Sequence, residues 1–149
     1  MAKLYLDVCC WNRPFDDQTQ HRVHLKAEAV LAILAEIEQR RDRLLHGEIV
    51  DLEIAGVSDS ARRQRLQALI PRRHEYIRHR REISVRAMEL EQRGFTGIDA
   101  LHLASAESGN ADVFLTTDDR LLQLAARHAD LLRVKVANPL AWMQDRLAD

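Results

Sequence analysis

The chain has 149 residues, 46% hydrophobic and 30% charged, enough for one domain that buries a core of its own. Its longest apolar run, Ala29 to Ala35, is far short of the ~20 residues that span a bilayer, and Met-Ala-Lys before one short strand is not a signal peptide; a cytoplasmic protein without membrane segments is expected. The net charge of −1 excludes a global basic field, but the nine arginines between Arg62 and Arg86, opposed only by Glu75 and Glu82, form either a solvated helical surface or a phosphate-contacting flank.

Leu4-Tyr5-Leu6-Asp7-Val8 reads as a strand from the middle of a sheet, interrupted by Asp7. A carboxylate there is costly unless hydrogen-bonded, paired or bound to a cation, and no sequence neighbour supplies a basic partner. Asp7 therefore either accepts backbone N–H bonds in the following turn or serves a site. The adjacent Cys9 and Cys10 suit neither a disulfide framework nor a closed zinc site of about four ligands, and they read as reduced thiols. Asn12 to Asp17 is a turn-rich loop. His21 and His24, three apart without a carboxylate pattern, read as a solvated pair.

From Lys26 to about Arg40, the positions Ala27, Val30, Leu31, Leu34 and Ile37 recur at helical spacing. Arg43 to His46 suggests a second short strand. Glu48 to Ala55, with Glu48, Asp51 and Glu53 between Ile49, Leu52 and Ile54, fits either a strand or a helix. Ser58 and Asp59 cap a helix that runs through Leu69 and stops at Pro71, and residues 72–82 carry no clear pattern. A further helix is expected from Ile83 to Arg93, burying Ile83, Ala87, Met88 and Leu90 and ending at Gly94.

Thr96 then caps a helix with Asp99 in its first turn and Ile98, Leu101, Leu103 and Ala106 on its apolar face, ended by Ser108-Gly109-Asn110. Val113 to Thr116 reads as a buried parallel strand that delivers Asp118 and Asp119 just past its carboxyl end. In open α/β sheets, ligands bind in the crevice beyond those ends. Leu131 to Val136 is expected as the last strand, and Pro139 opens a final helix. This alternation predicts an α/β fold with a parallel sheet covered on both faces, in a single domain over residues 1–149.

Standing alone, Asp99 would be read as complementing a helix dipole and Asp118 as an N-cap. Together, the segments LYLDVCC, FTGIDALHLASA and ADVFLTTDDRLL resemble the PIN-domain family, with a match over nearly the whole chain. The resemblance implies a three-layer α/β/α sandwich with a central parallel sheet and a divalent metal at the carboxyl edge of that sheet. It also implies metal-dependent ribonuclease activity, often in toxins of toxin–antitoxin pairs. Carried over residue by residue, the acidic positions are Asp7, Asp99 and Asp118, expected as direct or water-mediated ligands. The further acidic residue falls at Glu53 in VDLEI, with Glu48 and Asp51 close by, as a ligand or an orienter of the attacking water. Thr116 matches the hydroxyl residue that precedes the last aspartate by two. The sequence departs from the family after Asp7, where many members have Thr or Ser and this chain has Val8 and two cysteines.

Carboxylates converging on one sheet edge repel unless a cation compensates them, and oxygen-only ligands favour Mg²⁺ or Mn²⁺ over zinc. Such a metal lowers the pKa of bound water and stabilises charge developing on a phosphate. The expected partners are an RNA substrate, an antitoxin protein that blocks the site and, at family level, a second copy of the chain in a homodimer. A non-catalytic RNA- or protein-binding module that keeps the fold is the competing expectation. A phosphatase using Asp7 as nucleophile is the poorer third, because Cys9 stands where such enzymes place a second aspartate. His102, one turn after Asp99, is read as a core or supporting histidine rather than a ligand.

Overall fold

In the computed structural model, which describes residues 1–148, five parallel strands lie in the order β3-β2-β1-β4-β5. They are β1 (Lys3–Leu6), β2 (Arg43–Gly47), β3 (Glu75–Ile77), β4 (Val113–Leu115) and β5 (Lys135–Ala137). Residue 149, the end of the expected domain, lies outside the described residues. The expected parallel α/β sandwich is the fold observed. Leu4, Tyr5 and Leu6 of β1 and Val113, Phe114 and Leu115 of β4 are all buried, as continuous apolar runs in a sheet covered on both faces must be.

Eight α-helices accompany the sheet among the described residues: α1 (Val8–Asn12), α2 (His21–Glu38), α3 (Glu48–Ala55), α4 (Ser60–Leu69), α5 (Arg81–Glu91), α6 (Gly97–Ser108), α7 (Asp119–Arg127) and α8 (Pro139–Ala148). α5 packs along α6, and α2 packs along α8. On the α6 face of the sheet, Tyr5 stacks on Phe114 with ring centroids 5.4 Å apart and meets His102 edge-on. The alternate positions Leu4, Leu6, Leu44 and His46 point to the other face, where Trp11 of α1 meets the ring of His46. No helix of the described residues is long and apolar enough to cross a membrane.

Several local expectations change. Val8 starts a helix rather than extending β1, because Asp7 takes an extended conformation and caps α1 by accepting from the Val8 N–H. α2 begins at His21, five residues before the expected start at Lys26, so the solvated His21–His24 segment is its first turn. Glu48 to Ala55 is helical, and β3 occupies part of the stretch whose sequence shows no pattern. The last strand is confined to Lys135–Ala137, since Leu131 and Leu132 belong to the turn before it. Leu31, Met88 and Ile98, placed on apolar faces by spacing alone, are exposed.

Gly109 closes α6 for a steric reason rather than a conformational one. Its φ of −85° suits any residue, while the left-handed position falls on Asn110 at φ 58°. A Cβ on Gly109 would lie 2.3 Å from Cδ2 of Leu45, a side chain that is itself buried. Gly109→Ala is therefore expected to destabilise the fold by about 1–3 kcal/mol through overpacking. Urea denaturation reads this directly, and an unchanged midpoint would show that Leu45 moves aside freely.

Candidate metal-binding site

The strand order places β1 at the centre, with β2 and β3 on one side and β4 and β5 on the other, so the connections reverse direction between β1 and β4. A crevice opens outside the carboxyl ends of strands at such a switch point. The chain puts Asp7 immediately after β1 and Thr116-Thr117-Asp118 immediately after β4. The register pairing Leu6 with Leu115 brings these two ends side by side.

Asp7 is buried and held from several directions. Its Oδ1 accepts the Val8 N–H at 2.8 Å, and its Oδ2 accepts the Thr116 hydroxyl at 2.9 Å and the Cys9 thiol at 3.4 Å. Thr116 also accepts the Asp118 N–H at 3.1 Å, tying Asp7 to the start of α7. The supporting hydroxyl missing from the position after Asp7 is thus supplied from β4's end. Cys9 and Cys10 are free thiols, as read from the sequence. Cys10 is fully buried, and burial pushes its thiol pKa up; hydrogen bonding, first from Cys10, lowers that of Cys9.

Of the three acidic residues on α3, the structure brings Glu53 to Asp7 and directs the other two elsewhere. Glu48 accepts the His79 N–H, and Asp51 takes His46 Nε2 at 2.7 Å and the Tyr76 hydroxyl at 2.8 Å. Ligand atoms of Asp7, Glu53 and His102 all lie within 4.8 Å of one another. His102 is fully buried on α6, with Nε2 against Glu53 Oε1 and Nδ1 2.7 Å from the Tyr5 hydroxyl. Tyr5 keeps its proton, because burial and then the charges of Asp7 and Glu53 raise its pKa far above the ordinary value. The carboxylate of Glu53 can only accept, so the Nε2 facing it is the ring nitrogen that carries a proton, and the Tyr5 hydroxyl meets Nδ1. Both ring nitrogens are then engaged, and His102 fixes Glu53 rather than offering a free lone pair. Its sequence signal was its place one turn after Asp99, on the same helix face.

Asp99 and Asp118 border an adjoining cavity of about 290 Å³. Asp118 caps α7, accepting from the Arg120 and Leu121 N–H groups through Oδ1, so the expected capping role is present. Burial raises the pKa of Asp99, the Thr96 side chain opposes that shift, and the charges of Asp7 and Asp118 add to it. Among the described residues no Lys or Arg forms an ion pair with Asp7, Glu53, Asp99 or Asp118; only His102 approaches two of them. Asp7 and Glu53 approach one another while Asp99 and Asp118 share the adjoining cavity, and carboxylates held without an ion-paired Lys or Arg suit a hard divalent cation.

The arginine-rich stretch divides. Arg62 pairs with Asp16, Arg63 donates to the Val57 carbonyl, and Arg86 is bound to Glu107, so these three are structural.

The family model for the PIN domain matches residues 4–127. The fold is shared with solved structures that are only 16–17% identical in sequence. VapBC2 from Rickettsia felis bound to a DNA fragment from their promoter aligns with a TM-score of 0.60 at 16% identity, over 91% of this chain and 98% of that chain. DNA-bound VapBC from Salmonella typhimurium gives 0.58 at 17% identity, over 93% and 99%. FitAcB from Neisseria gonorrhoeae gives 0.56 at 16% identity, over 91% and 97%. A search of curated proteins finds no match.

Proposed function

This chain belongs to the PIN domain family, and on that premise we propose that it is a divalent-metal-dependent endoribonuclease, the toxin of a toxin–antitoxin pair. The observation that carries the reading is the convergence of Asp7 and Glu53 beside Asp99 and Asp118, with no Lys or Arg among the described residues in an ion pair with any of them. Asp7, Asp99 and Asp118 would hold Mg²⁺ or Mn²⁺, which when bound supplies a water of lowered pKa and positive charge against the phosphate.

The chain's own groups supply the positioning. Thr116 and the Val8 N–H lock the Asp7 carboxylate in one orientation. His102 holds Oε1 of Glu53, leaving Oε2 to orient the attacking water and accept its proton. Tyr5 engages Nδ1 of His102 and so keeps Nε2 turned toward Glu53, and a buried hydroxyl acts on the reaction through two intervening side chains. The chain is proposed to act in the cytoplasm as one domain over residues 1–149. Its partners would be RNA, an antitoxin that covers the acidic edge with a basic side chain, and a second copy in a homodimer.

The test is incubation of the purified protein with a mixture of single-stranded RNAs in Mn²⁺, in Mg²⁺ and in EDTA. Internal cleavage in either metal, abolished by EDTA, is the expected result. RNA that is bound yet recovered intact under all three conditions would sink the enzyme and leave the binding module.

A further inference from the structure

The cavity bordered by Asp99 and Asp118 has a second wall, formed by one face of α7. Arg120, Gln123 and Arg127 recur along that face at helical spacing, while Leu121 and Ala125 anchor α7 in the core. All three polar side chains belong to exposed residues. Among the described residues neither arginine forms an ion pair, although two carboxylates share the same cavity. The one carboxylate of α7 itself, Asp119, is paired instead with Arg22. The cavity thus carries both charges without pairing them, two carboxylates at the switch point and two arginines on α7.

A bare acidic edge repels a polyanion, and a metal there compensates only the phosphate it touches. The flanking nucleotides need positive charge beyond the reach of the metal. Arginine suits this role, because its planar fork takes two phosphate oxygens at once. A spacing of seven residues sets the backbone positions of the two arginines ~10 Å apart along the helix axis, which suits an extended strand rather than one oxygen. The volume of about 290 Å³ is at the small end for ligand pockets, fitting a short single-stranded stretch and not a duplex. Gln123, between them, offers an amide to a ribose hydroxyl or a base edge.

We propose that this cavity is a binding subsite for the backbone of single-stranded RNA next to the cleaved bond, with Arg120 and Arg127 binding its phosphates. The inference rests on the ribonuclease reading above and adds the direction in which the substrate leaves the metal site, along α7.

The test compares wild type with an Arg120→Ala/Arg127→Ala double variant and an Arg120→Lys/Arg127→Lys double variant. Binding of a fluorescein-labelled oligouridylate is followed by anisotropy in Ca²⁺ over a series of salt concentrations, with the RNA confirmed intact after each titration. The alanine variant is expected to bind about tenfold more weakly, and its log–log salt slope to fall by roughly 1.4, about 0.7 for each single-strand phosphate no longer neutralised. The lysine variant should keep the slope. The Mn²⁺-induced rise in Tm should be the same in all three, since neither arginine is a metal ligand. Wild-type affinity and slope in the alanine variant would overturn the subsite while leaving the ribonuclease reading intact. Failure of wild type itself to bind or cleave RNA would overturn both.

Discussion

Asp99→Asn is expected to abolish metal-dependent RNA cleavage, by at least about a hundredfold, while making the metal-free protein more stable. The two effects have one cause. Burial and the charges of Asp7 and Asp118 raise the pKa of Asp99 in the folded state, so its negative charge is tolerated less well there than in the unfolded chain. The sign follows from proton linkage. An acid whose folded pKa lies above its unfolded value lowers stability most at pH values above both, and the penalty fades as pH falls through the folded pKa. The neutral amide removes that penalty, so the gain in Tm should be present at pH 7 and vanish in acid. Saturating Mn²⁺ should reverse the order. At a hundredfold its Kd the ion adds about 2.7 kcal/mol to wild type, several degrees in Tm, and much less to a variant lacking a ligand. Thermal unfolding of both proteins with and without Mn²⁺ reads the crossover. A variant that is less stable than wild type without metal, or equally stabilised by Mn²⁺, would show that Asp99 is held as a structural group.

How much of this site the sequence displayed depends on which physical relation carried each residue. Asp7 stood out because a carboxylate within an apolar strand demands an explanation by itself. Asp118 was legible as a residue just past a buried strand, and the same position makes it the cap of α7, so both readings of it describe one geometry. Glu53 could not be separated from Glu48 and Asp51 locally, since eight residues of alternating character leave strand and helix undecided. What separates them is the partner each finds across the fold: His102 for Glu53, His46 and Tyr76 for Asp51, the His79 N–H for Glu48. The Tyr5–His102–Glu53 relay spans 97 and 49 residues, and no periodicity encodes such a pairing. The fold was more legible than the relay because parallel strands are continuous apolar runs, whereas β3, with two of its three residues exposed, is an edge strand with little hydrophobic signal.

The arginine-rich stretch hides a residue whose role is the reverse of its sequence appearance, and the largest stability effect is expected there. Arg86 reads as the last member of a basic flank, yet its side chain is only 11% exposed, and Glu107, against it, is 2% exposed. Nε and Nη2 of Arg86 donate to the two oxygens of Glu107 at 2.7 and 3.2 Å, and Nη2 also donates to the Leu131 carbonyl at 2.9 Å. Glu107 accepts the Arg133 N–H as well, at 2.9 Å. The pair clips α5, α6 and the segment leading to β5 together, and α6 is the helix that carries Asp99 and His102. Removing one partner strands the other charge in a poorly hydrated place. Glu107→Ala should therefore cost about 3–5 kcal/mol, a large part of the ~5–15 kcal/mol that holds a domain folded. For a chain of this length that is a fall in Tm on the order of 10 °C. Replacing both partners with leucine should cost less than Glu107→Ala alone, because no unpaired charge remains. Glu89→Ala serves as the control, since Glu89 meets the same guanidinium from the exposed side and its loss should cost under about 1 kcal/mol. Chemical denaturation of the four proteins decides the matter. A Glu107→Ala variant within about 1 kcal/mol of wild type would return Arg86 to the solvated flank and make it available to RNA.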